Sequence, residues 1–318
     1  MDPRVNRRAF LAAAAAAATA RLSPAPAEDK PAMLPAIDTH QHLWDLTKFK
    51  LGWLKPGDAL DASYTPVEYA AAIDGLHVVK SVYMEVDVVA EQQQKEADYI
   101  VALCESKKTP TCAAVISGRP NAGEAFAKYI TPYKGHKYVK GIRQVLHVPT
   151  TPAGYCLEPN FVKGVQLLGD LGLSYDLCVR PAELPNYVKL VDQCPGTRFI
   201  LDHCGNPSAK FTKEQWDQWR KDMDALAAKK NVVSKISGFI ANGWEKGKWA
   251  TDDLAPAVNG TIGAFGVDRV MFGGDWPVVT LAATYKEWLT ALRAIIASRP
   301  EADQRKILHD NAAKFYGI

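Results

Sequence analysis

The sequence predicts an α/β fold, specifically a (β/α)8 barrel, and three observations carry that prediction. From Pro35 onward, short apolar runs of strand length alternate with longer amphipathic stretches. The runs number eight, and polar residues gather at their C-terminal ends, where the loops of such a barrel surround a pocket. Eight units over roughly 280 residues suit a closed barrel better than an open doubly wound sheet.

The elements follow in order. The first strand, 36–39, leads into Asp38-Thr39-His40-Gln41-His42. Strands are expected next at 78–86, 111–116, 138–146, 174–179, 198–203, 232–237 and 269–273. Helical periodicity marks 91–106, 161–171, 184–194, 213–229 and 283–297 among the intervening segments. The sixth strand ends in Asp202-His203 and the eighth in Gly273-Gly274-Asp275-Trp276-Pro277. No internal repeat or linker divides the chain, so 34–318 is read as one catalytic domain.

Composition narrows the function. The 318 residues are 47% hydrophobic and 23% charged, ordinary globular usage that excludes a disordered, collagen-like or coiled-coil chain. A formal net charge of +3, with no basic tract interleaved with aromatics, argues against a nucleic-acid partner and for a small-molecule substrate. A homo-oligomer is compatible with the sequence.

Residues 1–33 read as a twin-arginine export signal and a short linker. Asn6-Arg7-Arg8-Ala9-Phe10-Leu11 runs into alanines 12–18, and Ala25-Pro26-Ala27 has the small-x-small form of a cleavage site. The apolar run is shorter than the roughly 20 residues a bilayer needs, so no membrane span is expected in the mature protein. Removing 1–27 takes away four arginines and one aspartate and brings the charge to about zero. A periplasmic or other extracytoplasmic destination follows. The six cysteines are scattered, with no C-x-x-C pair, and read as buried free thiols.

The chemistry lies at the strand ends. His40 and His42, two apart on an extended backbone, leave the same face and can converge on one object. Neutral imidazole suits Zn²⁺, and a barrel centre offers a third histidine and a carboxylate to complete a shell. Such a pair also occurs as ordinary surface or core histidines, so the argument rests on the other two positions. His203 ends the apolar run Phe199-Ile200-Leu201, and Asp275 ends Val270-Met271-Phe272 behind two glycines that permit close approach.

Three strings carry a resemblance: Ile37-Asp38-Thr39-His40-Gln41-His42-Leu43-Trp44-Asp45, Phe199-Ile200-Leu201-Asp202-His203-Cys204-Gly205-Asn206-Pro207 and Met271-Phe272-Gly273-Gly274-Asp275-Trp276-Pro277-Val278. The chain resembles the amidohydrolase-2 (amidohydrolase-related) family over essentially all of 34–318, in the branch similar to sugar-acid and dicarboxylate lactonases. The resemblance implies a TIM barrel and lactone hydrolysis, with Asp275 as catalytic base and His40, His42 and His203 stabilising the carbonyl oxygen. It implies at most one divalent metal, Zn²⁺ by ligand type, held by His40, His42, His203 and Asp275, and leaves a metal-independent site open.

Lys140-Gly141-Ile142-Arg143 resembles the branch's strand-4 motif, whose arginine faces the substrate; the alternative for Arg143 is a salt bridge at the barrel rim. Arg143 and His147, four apart along the fourth strand, are expected to share a face and both to reach the pocket. Lys235, in a string similar to the family's strand-7 motif, needs a partner inside its apolar strand. Tyr83 and Glu85 share one strand face, and these two, Lys235 and Trp276 complete the expected substrate contacts. Trp44, Trp53 and Trp244 are candidates for stacking on a ring. A metal-dependent decarboxylase of the same family is the nearest rival reading, and a non-catalytic exported binding barrel is a more distant one.

Overall fold

In the computed structural model, which describes residues 33–318, eight parallel strands follow one another in chain order. They are β1 (Ala36–Gln41), β2 (Val78–Met84), β3 (Thr111–Ser117), β4 (Val139–Arg143), β5 (Ser174–Leu177), β6 (Arg198–Leu201), β7 (Val232–Ile236) and β8 (Val270–Phe272). The ring closes where β8 runs out. The Asp275 N–H donates to the His40 carbonyl at 2.8 Å, and the His42 N–H donates to the Trp276 carbonyl at 2.8 Å. The export signal read at the N-terminus falls on residues that lie, Met33 apart, outside those described. Leu34–Ile318 forms one compact unit.

Eight main helices cover the strands: α1 (Pro66–Ile73), α2 (Gln93–Ser106), α3 (Glu124–Ile130), α4 (Pro159–Asp170), α5 (Leu184–Gln193), α6 (Lys213–Ala227), α7 (Thr251–Phe265) and α8 (Tyr285–Ile296). Thr65 with Glu68, Thr212 with Gln215 and Thr284 with Glu287 form reciprocal caps that start α1, α6 and α8. Strand alternation sorts side chains into two layers. Ile37, Val82, Met84, Ala113, Val115, Ile200 and Met271 fill the barrel interior, joined by Ala312 and Tyr316 of the C-terminal helix α9 (Asn311–Tyr316). Tyr83, Ala114, Ile116 and Phe199 belong to the layer between strands and helices.

All eight strands stand where the apolar runs place them, but several stop early. β4 ends at Arg143, so His147 lies beyond the strand and shares no strand face with it. β6 ends at Leu201, and His203, Cys204, Gly205 and Asn206 all take left-handed backbone, with φ of 54, 55, 71 and 60°. Adjacent strand residues point to opposite faces. The left-handed turn removes that constraint, so Asp202 and His203 both approach His40.

Candidate active site

β1 delivers His40 into the centre of the barrel mouth. Its N–H donates to Asp38 Oδ1 at 2.9 Å, and Asp38 also accepts from Gly274 N–H, Tyr69 OH and Tyr285 OH. This buried carboxylate therefore joins β1 to the β8 loop, α1 and α8. His42 follows the strand end, with Nδ1 3.0 Å from the Met84 carbonyl. A carbonyl only accepts, so Nδ1 carries the proton and Nε2 offers a lone pair. That Nε2 lies 3.3 Å from Asp275 Oδ1, and His40 Nε2 lies 3.6 Å from the same oxygen. His203 stacks at a tilt 4.4 Å from the His40 ring, its Nδ1 2.9 Å from Ser237 Oγ.

Burial sets the charge of these groups. It pushes His42 down to about 3, reinforced by Arg143, and lowers His40 and His203 as well, so the imidazoles are neutral near pH 7. Burial pushes the Asp275 carboxyl up to about 6, against the opposing pull of His203 and Arg143. Asp275 sits at φ 52° ahead of a cis Trp276–Pro277 bond. Two glycines make room: a Cβ at Gly273 would lie 2.8 Å from His40 Cβ, and one at Gly238 would strike the His203 ring.

A buried charged network supports the histidines. Arg143 donates from Nε to Glu85 Oε1 and from Nη2 to the Glu85 carbonyl, both at 2.7 Å, while Nη1 lies 3.3 Å from His40 Nε2. Lys235 Nζ lies 2.5 Å from Asp176 Oδ2, 3.2 Å from Asp202 Oδ1 and 3.5 Å from His40 Nδ1. Burial would raise the Asp202 carboxyl, but Lys235 and His40 outweigh it and hold the group well below the usual range. Asp176 goes the other way, pushed up to about 7 by burial against the pull of Lys235.

The donor set fits a cation. His40, His42 and Asp275 present ligand atoms within 4.8 Å of one another, and so do His40, Asp202 and His203; all are buried. His42 Nε2 and Asp275 Oδ1 face each other as two acceptors, an arrangement that a positive ion between them resolves. The cluster is capable of binding a metal.

Asp275, His203 and Gly238 reach an open cavity of about 430 Å³, whose walls come from the loops after β4 to β8 and include His147, Arg180, Asn206, Ser208, Lys210 and Asn242. The other expected substrate contacts lie elsewhere. Arg143 and Glu85 form a buried ion pair, and Lys235 is sealed between two aspartates. Tyr83 faces α2, donating to Glu96 Oε1 at 2.8 Å; β2 stops at Met84, so Tyr83 and Glu85 do not share a strand face. Trp276 packs edge-on against Tyr64 and Tyr69, and the buried Trp44 donates to the Ala62 carbonyl. Trp53 is 40% exposed and donates to the Val86 carbonyl, while Trp244 lines a separate cavity of about 680 Å³ that holds none of the histidines.

Sequence reasoning did not assign roles to Asp202, Asp176, Ser237, Gly238, Arg180 or Lys210. Arg180 closely follows the apolar run of β5, so the strand-end rule that selected Asp275 was a usable signal for it. Asp202 was hidden because, on an extended strand, it would point away from His203.

The chain resembles known proteins both in sequence and in fold. It is 28% identical over 294 residues to an L-fucono-1,5-lactonase of Burkholderia multivorans, covering 89% of this chain and 96% of the relative. A crystal structure of an amidohydrolase from Burkholderia multivorans with bound zinc superposes with a TM-score of 0.79 at 24% identity, covering 89% of this chain and 99% of the other. A 2,6-dihydroxybenzoate decarboxylase shares the fold more loosely, with a TM-score of 0.62 at 14% identity, covering 90% of this chain and 100% of the other. The amidohydrolase family model matches residues 37–318, and the chain therefore belongs to that family.

Proposed function

We propose that the protein hydrolyses the ring ester of a small carboxylated or sugar-acid lactone, with Asp275 as general base. Water attacks the ester carbonyl carbon as Asp275 takes one of its protons. The Nε2 lone pair of neutral His42 cannot donate to the oxygen that becomes negative, so the imidazoles would act on it through the ion they hold. The tetrahedral intermediate then collapses, the ring C–O bond breaks, and Asp275 returns the proton to the leaving alkoxide, giving an open hydroxy acid. Zn²⁺ is the ion we assign to His40, His42, His203 and Asp275, and when bound it supplies Lewis acidity at the carbonyl. Asp202, itself held by Lys235, faces His40 Nδ1 and orients the ring from that side, which leaves Nε2 for the ion.

The observation that carries this reading is a buried carboxylate at the floor of an open cavity, its Oδ1 3.3 Å from His42 Nε2 and 3.6 Å from His40 Nε2. A carboxylate so placed can take a proton from water in the cavity. The lactonase relative favours a lactone as the ester.

The test is a lactone panel in which acid release is followed by titration and carbon dioxide by gas analysis. Acid without carbon dioxide is expected, and carbon dioxide release would favour the decarboxylase instead. Asp275→Asn should lower kcat by roughly 10²–10⁴-fold with the fold retained. Near-normal turnover by the folded variant would exclude Asp275 as base.

A further inference from the structure

Three cations at the barrel mouth are matched by carboxylates. Arg143 pairs with Glu85, Lys235 with Asp176 and Asp202, and Arg119 with Asp87 at 2.7 Å. Arg180 and Lys210, both on the cavity wall, have no carboxylate within ion-pair distance among the described residues. Arg180 is nevertheless held in place: its Nη1 donates to the Val148 carbonyl at 3.2 Å and to the Thr151 carbonyl at 2.9 Å. Its Nε and Nη2 carry no hydrogen bond to the described residues, leaving one edge of the guanidinium to offer two parallel donors.

The wall carrying these cations is braced. Asn242 Nδ2 donates to Asn206 Oδ1 at 3.0 Å, and Asn206 Nδ2 donates to the Val179 carbonyl at 2.7 Å, tying the loops after β5, β6 and β7 together. Asp275, at the floor, is the one carboxylate among the cavity-lining residues. His147 adds no charge, because burial and the neighbouring Arg143 push it down to about 4.

We infer that Arg180 and Lys210 form an anion subsite that receives a carboxylate on the substrate ring, a role the buried and paired Arg143 does not fill. The inference rests on the lactonase reading and narrows it to lactones of acidic sugars or dicarboxylic acids. The ester carbonyl lies at Asp275 and His203 on the floor, and the carboxylate reaches the wall between the β5 and β6 loops.

The test compares an aldonolactone with the aldarate monolactone that carries a carboxylate in place of its terminal CH₂OH. Wild-type kcat/KM should favour the carboxylated member. Arg180→Gln and Lys210→Met should each lower the ratio of the two kcat/KM values by about 10–100-fold, chiefly through KM, and Arg180→Lys should recover part of it. Turnover with no preference for the carboxylate, or a ratio unmoved by either variant, would overturn the subsite while leaving the lactonase reading intact. If neither lactone is hydrolysed the lactonase reading fails, and calorimetric binding of glutarate then decides the subsite. Glutarate binding weakened by Arg180→Gln supports it, whereas binding that is absent in the wild type or insensitive to both substitutions overturns it.

Discussion

At Gly238 a Cβ would strike His203 Nδ1 and lie 2.7 Å from Asp275 Oδ2, and the backbone there has φ 51°. The residue follows Lys235-Ile236-Ser237, so its place in sequence marks it as a strand-end glycine, but only the folded chain reveals what its missing side chain makes room for. Gly238→Ala should cost about 1–2 kcal/mol from the left-handed backbone alone. The larger effect should be on the site, since His203 and Asp275 must move. Turnover should fall at least as far as in Asp275→Asn while circular dichroism keeps the native spectrum. A Gly238→Ala protein of normal kcat would show that the positions of His203 and Asp275 are not critical.

Between elements, Glu96 shows how α2 is fastened over the end of β2. Its Oε1 accepts from Tyr83 OH and from Val86 N–H, both at 2.8 Å, while Oε2 is buried without a partner. Burial, reinforced by the nearby Glu85, pushes this carboxyl from its ordinary 4.5 up to about 8. A folded-state value above the unfolded one contributes stability that is fully present below pH 4.5 and is lost as pH rises through about 8. Glu96→Gln keeps the acceptor and removes the titration, so denaturant midpoints measured across that window should fall less steeply in the variant than in the wild type. Identical slopes would place the pH dependence elsewhere.

We propose that the whole chain is exported by the twin-arginine route. Arg7 and Arg8 precede Phe10-Leu11 and the alanine run, and the chain without 1–27 is close to neutral. Cys104, Cys112, Cys156, Cys178, Cys194 and Cys204 are all free, so the fold of the described residues includes no disulfide that would wait for an oxidising compartment. No helix among the described residues is long and apolar enough to cross a membrane. Replacing Arg7 and Arg8 together with Lys should leave full-length protein in the cytoplasmic fraction, read by immunoblot after fractionation. Normal processing of that variant would refute a twin-arginine route.

The barrel was legible because its determinants are local and repeated: eight apolar runs, amphipathic segments between them, and polar residues where β1, β6 and β8 end. His40, His42, His203 and Asp275 were legible for the same reason, since a strand end in this architecture maps directly onto the mouth of the barrel. What pairs with what was decided by tertiary structure alone. Arg143 looks free along the chain and is claimed by Glu85, 58 positions away, because β2 and β4 end on the same side of the mouth. Lys235 sits between Asp176 and Asp202 because burial demands a counter-charge that no local pattern supplies. Asp202 and His203 both reach His40 only because a left-handed turn breaks the strand alternation that the sequence period implies. Local periodicity specifies which way a side chain leaves its own element, whereas the partner it meets depends on how distant strands close the ring.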